Sequence, residues 1–266
     1  MIFKRRTIAQ PVSFEGIGLH SGVPVKVTVH PSESGIAFRL GDDRVEAKPE
    51  NVSDTTRRTK LGPINTIEHL MSAFAGLEIT GAEVELDAVE MPGMDGSSKP
   101  FVDALLAVGF VDGAEFEVPS LFSRLFPHDD HSSVSIAKGS GHWKYVFETG
   151  ERWPGTQSYE TETIIDSYAS EVAPARTTAF SEELEMAAKL GLGKGLDLNS
   201  VLILDETAYR NPARFEDEPA RHKLLDLAGD LYLAGVPLRA LNVVAVKSGH
   251  TGNVRAAQML SQAIWG

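Results

Sequence analysis

The spacing of apolar residues switches between two and about 3.6 along this chain, twice over, and each switch restricts what the backbone can do. Val23, Val25, Val27 and Val29 alternate with other residues, the pattern of a half-buried strand. Ile67, Leu70, Met71 and Phe74 then fall at i, i+3, i+4 and i+7 ahead of Gly76, which reads as an amphipathic helix with a C-terminal stop. Ala82, Val84, Leu86 and Ala88 return to strand spacing with Glu83, Glu85 and Asp87 facing outward, and a second helix is expected from Pro100 to Gly109. After Asp112-Gly113 the order begins again. Weak strands near 133–136 and 145–148 lead to a polar stretch around Trp153-Pro154-Gly155 and a helix from Ser181 that stops at Gly191. An apolar strand Val201–Leu204, a long helix over 219–234, a strand Leu241–Val246 and a helix over 254–264 follow. Two halves of like element order predict an α+β fold of two domains of similar topology, 1–115 and 116–266, each packing helices against a sheet.

Composition narrows the function. With 42% hydrophobic residues over 266 positions there is ample material for a core. No apolar run reaches the roughly 18 residues of a membrane-spanning helix, and Met1-Ile2-Phe3-Lys4-Arg5-Arg6 lacks the apolar stretch of a secretory signal. The absence of cysteine excludes disulfides, thiolate metal sites and a cysteine nucleophile, and a cytoplasmic address is expected. A net charge of −12 argues against nucleic acid as a partner, so an anionic substrate would have to meet a locally basic site.

The segment that opens Glu218-Pro219-Ala220-Arg221-His222-Lys223 carries two stripes. Leu224, Leu227, Ala228 and Leu231 form an apolar one; His222, Asp226 and Asp230 form a polar one at i, i+4 and i+8. At about 100° per residue the polar set drifts only about 80° around the helix, so all three can face one cleft. Asp226 and Asp230 are like charges at i, i+4, and Asp230 lies toward the negative end of the helix dipole; a cation beside them removes both penalties. The plainer alternative is a solvated face on which Lys223 pairs with Asp226.

A partner for this stripe is Asn65-Thr66-Ile67-Glu68-His69. His69 lies off its helix's apolar stripe, and Glu68 is its neighbour. Two histidines and one carboxylate with an open position make a common catalytic zinc site, served by a nearby carboxylate that does not ligate. His69, His222 and Asp226 would be the ligands and Glu68 the base. Equally open are a surface imidazole at His69 and a capping box in which Asn65 caps the helix and Glu68 reaches back. His250, in Lys247-Ser248-Gly249-His250-Thr251-Gly252-Asn253, is expected in a turn between strand and helix, where Asp230 could keep it protonated as a general acid. His20 reads as part of a turn, while His128 and His131 sit in an acidic loop and His30 and His142 have no suggestive company. Gly16-Ile17-Gly18 precedes a strand where a dinucleotide-binding fingerprint needs a helix. Gly191-Leu192-Gly193-Lys194-Gly195 is either a helix-ending loop or a phosphate cradle.

Those residues together resemble the bacterial UDP-3-O-acyl-N-acetylglucosamine deacetylase family, the zinc amidases of lipid A synthesis. The resemblance runs over nearly the whole chain, through Phe14-Glu15-Gly16-Ile17-Gly18-Leu19-His20-Ser21-Gly22, Thr66-Ile67-Glu68-His69-Leu70, Met94-Asp95-Gly96-Ser97, Ala175-Arg176-Thr177, Phe215-Glu216-Asp217-Glu218, Arg221-His222-Lys223-Leu224-Leu225-Asp226, Gly229-Asp230-Leu231 and Lys247-Ser248-Gly249-His250. It implies two α+β domains with the active site between them. It also implies zinc held by His69, His222 and Asp226, Glu68 as base on the metal's water, and His250, oriented by Asp230, as acid to the leaving amine. Thr177 would stabilise the oxyanion and Lys223 would contact substrate. The substrate implied is UDP-3-O-[(3R)-3-hydroxyacyl]-N-acetylglucosamine, handled by a monomer peripheral at the inner membrane. An acyl-chain passage is expected in an insertion of the second domain at 143–159. The chain departs from the family at Thr178, where an aromatic is usual, at Leu196-Asp197, which replace a glycine and a serine, and in the short basic segment Thr56-Arg57-Arg58-Thr59-Lys60-Leu61.

Two rival readings accompany this one. Two histidines and a carboxylate also suit Fe(II), but such enzymes carry the first histidine and the carboxylate close together in a strand-rich barrel rather than as a helical His-x3-Asp. A non-catalytic nucleotide-sugar-binding paralogue fits the altered positions, but has no need of a base and an acid.

Overall fold

The computed structural model describes all 266 residues. The first half is built from β1 (Ile2–Ile8), β2 (Val12–Ile17), β3 (Pro24–Pro31), β4 (Ile36–Leu40), β5 (Asp43–Glu46), β6 (Val52–Asp54), β7 (Lys60–Leu61), α1 (Glu68–Gly76), β8 (Ala82–Leu86), α2 (Lys99–Val108) and β9 (Phe110–Glu117). The second contains β10 (Ser133–Lys138), β11 (Trp143–Glu148), β12 (Thr156–Thr161), α3 (Ile164–Ser167), β13 (Thr177–Phe180), α4 (Leu184–Lys189), β14 (Val201–Leu204), α5 (Glu218–Tyr232), β15 (Leu241–Val246) and α6 (His250–Trp265). The fold is mixed α and β, as the alternation predicts. Val25, Val27 and Val29 of β3 and Ala82, Val84 and Leu86 of β8 face inward, as their period of two requires.

Five strands in the order β2-β3-β8-β4-β5 form one sheet and four in the order β10-β15-β11-β12 form another. Each combines antiparallel neighbours with one parallel pair, β4 on β8 and β11 on β15. β1 pairs with β9, β13 with β14 and β6 with β7 in small ribbons. No helix is long and apolar enough to cross a membrane.

A single apolar cluster of 55 buried residues runs through both halves, from Phe3 to Ile264, and this changes the character of two helices. All nine residues of α1 are buried, so it is a core helix rather than an amphipathic surface one. On α5 the polar stripe is buried too: His222 and Asp226 are 2% exposed and Asp230 is 0%, so the solvated-face alternative fails. The expected helix from Ser181 is a 3-10 turn over Ser181–Glu183 followed by the short α4.

α1 and α5 cross at backbone contact. A Cβ on Gly229 would stand 2.2 Å from the Glu68 carbonyl oxygen and 2.9 Å from the Ser72 nitrogen, distances no side chain tolerates. Ser72 Oγ donates to the Leu225 carbonyl at 2.8 Å and accepts from Tyr168 Oη at 2.7 Å, which satisfies the polar groups trapped at the crossing. Gly229→Ala should therefore force the helices apart and destabilise the protein by about 1–3 kcal/mol, the range for overpacking, with the backbone contact placing it at the upper end. Urea denaturation measures this directly; an unchanged midpoint would show that the helices can part freely.

Candidate active site

The α1–α5 crossing brings the chemical residues together. His69, the second residue of α1, and His222 and Asp226, one turn apart on α5, offer ligand atoms that all lie within 4.8 Å of one another. His69 Nε2 stands 3.6 Å and His222 Nε2 3.5 Å from Asp226 Oδ1. That oxygen is buried and has no hydrogen-bond partner. His222 Nδ1 donates to the Ala175 carbonyl at 3.1 Å, so its Nε2 lone pair is the one turned toward Asp226. Burial pushes the His222 pKa down to about 3, leaving the ring neutral. Asp226 stays ionised: burial opposes its charge, but the Lys223 ammonium, whose Nζ is 2.8 Å from Oδ2, outweighs it and holds the carboxyl well below its ordinary value. Two imidazoles and a carboxylate with an orphan oxygen suit a divalent cation such as zinc better than they suit each other.

Glu68 and His250 flank this group. Glu68 is not part of a capping box. Ile67 precedes α1 without any side-chain cap, Asn65 Oδ1 instead accepts from Arg58 Nε at 2.7 Å, and Glu68 Oε2 accepts from the Thr59 N–H at 3.0 Å. Burial pushes the Glu68 carboxyl up against the pull of His250 and His69. His69 is 5% exposed, which removes the surface-imidazole alternative. His250 is the first residue of α6 rather than part of the turn before it. Its Nδ1 donates to Asp230 Oδ2 at 2.9 Å, and Nε2 lies 4.0 Å from Asp226 Oδ2. Burial works against a charge on His250, but Asp230 outweighs it and the pKa rises to about 9. Asp230 itself is fully enclosed behind His250 and accepts further bonds from Thr59 Oγ1 and Asn253 Nδ2.

All the singled-out residues except Asp230 line one cavity of ≈ 840 Å³: Glu68, His69, Thr177, His222, Lys223, Asp226 and His250. Thr177 opens β13, and its N–H donates to the Gly96 carbonyl at 2.7 Å. The preceding Arg176 forms a buried ion pair with Glu218, Nε to Oε1 at 2.9 Å, which ties the Ala175-Arg176-Thr177 strand to the start of α5. His20 also lines the cavity, in a turn whose N–H groups at His20 and Ser21 donate to Glu90 at 2.9 and 2.7 Å. The glycine loop at 191–195 follows α4 and packs on that turn, with Gly193 N donating to His20 Nδ1 at 3.3 Å and Gly195 N to the Leu19 carbonyl at 3.1 Å. Thr178, Leu196 and Arg57, three of the positions that depart from the family, reach the same cavity.

The segment 143–159 supplies nothing to the cavity wall: Trp143 and Tyr145 are fully buried on β11, in the second sheet. The apolar arm is instead lined by Leu184, Ala187 and Ala188 of α4, Leu192 beyond it, and Val201 and Ile203 of β14. The sequence reading also missed Thr59 and Asn253, polar residues in loop and helix that hydrogen-bond Glu68 and Asp230 but were given no role of their own.

A sequence profile described as UDP-3-O-acyl N-acetylglycosamine deacetylase matches residues 5–262. The chain is 38% identical to the UDP-3-O-acyl-N-acetylglucosamine deacetylase of Chromobacterium violaceum, over 96% of this chain and 90% of that protein. It is 36% identical to the enzyme of that name from Cellvibrio japonicus, over 97% and 90%, and 34% identical to that from Trichormus variabilis, over 97% and 98%. Since these matches span both sheets and every residue gathered around the α1–α5 crossing, the chain belongs to the UDP-3-O-acyl N-acetylglycosamine deacetylase family.

Proposed function

We propose that this protein hydrolyses the acetamide of UDP-3-O-acyl-N-acetylglucosamine to acetate and the free glucosamine amine, with zinc held by His69, His222 and Asp226. The observation that carries the reading is Asp226 Oδ1, a buried oxygen without a partner that faces two imidazole Nε2 atoms. Zinc at such a site supplies Lewis acidity, which acidifies water and polarises an amide carbonyl.

The chain's own groups supply the rest. Glu68, raised by burial, takes the proton of the attacking water as the new C–O bond forms. The Thr177 hydroxyl donates to the oxygen that gains charge at the acetyl carbon. His250, protonated and oriented by Asp230, gives its proton to the sugar nitrogen as the C–N bond breaks, so that an amine leaves rather than an unstable amide anion. Lys223, charged and held against Asp226, contacts the substrate's anionic portion from the cavity wall. The acyl chain occupies the apolar arm between α4 and β14. The same reading treats 1–115 and 116–266 as two α+β domains with the site between them, in a cytoplasmic protein.

Purified protein is expected to carry one zinc per chain by elemental analysis and to release acetate from the UDP-sugar, with chelation abolishing turnover and zinc restoring it. A zinc-loaded protein that binds the sugar but never releases acetate would favour a non-catalytic sugar-binding role.

A further inference from the structure

Thr59 lies in the short basic segment ahead of β7 and belongs to none of the matched motifs, yet every polar group it has is committed to the site. Its N–H donates to Glu68 Oε2 at 3.0 Å. Its carbonyl accepts from the Ile67 N–H at 3.2 Å, immediately before α1. Its hydroxyl donates to Asp230 Oδ1 at 2.5 Å and stands 3.2 Å from His250 Nδ1. The residue is fully buried, and its β-branched side chain is stiff at χ1, so none of these contacts is interchangeable with water.

We infer that Thr59 is a positioning residue that couples the base to the acid, fixing the Glu68 carboxylate through its backbone and the Asp230–His250 pair through its hydroxyl. This rests on the deacetylase reading of the site. The division of labour within Asp230 supports the assignment. Oδ2 receives His250 Nδ1 and Asn253 Nδ2, whereas Oδ1 receives Thr59 alone. Without that hydroxyl the carboxylate loses its one bond at Oδ1 and is held through Oδ2 alone, so the imidazole it orients is fixed less firmly. Because His250 acts only when the C–N bond breaks, the loss falls on the chemical step and not on substrate capture.

Thr59→Val removes the hydroxyl, keeps the branched shape and leaves the backbone bond to Glu68 intact. Its kcat on the UDP-sugar should fall by about 10–100-fold, as for other residues that orient an active-site group, with KM and zinc content unchanged. Thr59→Ser, which keeps the hydroxyl, should recover most of the rate. In the zinc-free protein, the Nδ1–H proton of His250 should give a downfield resonance in the wild type that shifts and broadens in Thr59→Val and returns in Thr59→Ser. A Thr59→Val enzyme as fast as wild type overturns the inference, as does a serine variant no better than valine, or a defect confined to KM. A wild-type protein that releases no acetate overturns the deacetylase reading, and this inference with it.

Discussion

Glu68→Gln is expected to lower kcat by about 10²–10⁴-fold, the usual contribution of a positioned acid or base, while the protein keeps its full complement of zinc. Glutamine is the informative substitution because of what holds Glu68 in place. The Thr59 N–H needs an acceptor at Oε2, and the glutamine carbonyl provides one in the same position. Alanine would leave that buried N–H without a partner and mix a structural cost into the result. The amide oxygen of glutamine accepts a hydrogen bond but is far too weak a base to take a proton from water, so the base function is what the substitution removes. The three residues assigned to the metal are untouched, since His69 is held through the α1 backbone, where Ser98 Oγ donates to its carbonyl at 2.7 Å. The decrease should appear equally in kcat and kcat/KM, which marks an interaction made only in the transition state. Initial rates of acetate release with parallel zinc analysis measure both parts. A Glu68→Gln protein with wild-type kcat would transfer the base to another group, and the carboxylates within reach are already committed: Asp226 to His69, His222 and Lys223, and Asp230 to Thr59, His250 and Asn253.

The parts of this arrangement that were legible in the sequence are those written in a local period. His222, Asp226 and Asp230 share a face because helical geometry puts every fourth residue there, and β15 keeps the bounds Leu241–Val246 expected from its alternation. β9 was missed because most of its residues are exposed, so no alternation marks it; it is specified by its pairing with β1 instead. α1 was misjudged for the opposite reason. Its pattern of apolar and polar residues is amphipathic, but Glu68 and Ser72 find hydrogen-bond partners in Thr59 and the Leu225 carbonyl, and so can be buried along with the apolar residues. The bonds that hold Thr59 span 9 and 171 positions of sequence. A lone threonine carries no periodicity, and only the closed fold reveals it. The apolar arm shows the limit of a likeness in motifs. Trp143 and Tyr145 are apolar because β11 sits in a sheet, with Val243 and Tyr159 among its neighbours, while the cavity takes its lining from α4, whose six residues give almost no periodic signal.

His222→Ala should separate the metal from the base. The side chain is 3% exposed and makes one hydrogen bond, to the Ala175 carbonyl, which fixes the tautomer that a metal ligand needs. That carbonyl is itself anchored, since the next residue, Arg176, donates from its backbone N–H and its guanidinium Nε to Glu218 Oε1, both at 2.9 Å. The imidazole is therefore directed at Asp226 before any ion arrives, and its removal deletes a preformed ligand. His69 and Asp226 remain, one short of the three protein ligands typical of a catalytic zinc site. Zinc should consequently be lost during purification and acetate release should vanish with it, in contrast to Glu68→Gln, which keeps the metal and loses only turnover. Thermal unfolding supplies a second readout. An ion that binds only the native state stabilises the wild type by about 2.7 kcal/mol at a hundredfold excess over its Kd, so added zinc should raise the wild-type Tm and leave that of His222→Ala unmoved. Stoichiometric zinc in His222→Ala would remove His222 from the ligand set and leave Asp226 Oδ1 without the partner proposed for it. Loss of zinc in both variants would instead place Glu68 among the ligands, and the general base would then have to be sought among the other groups that line the cavity.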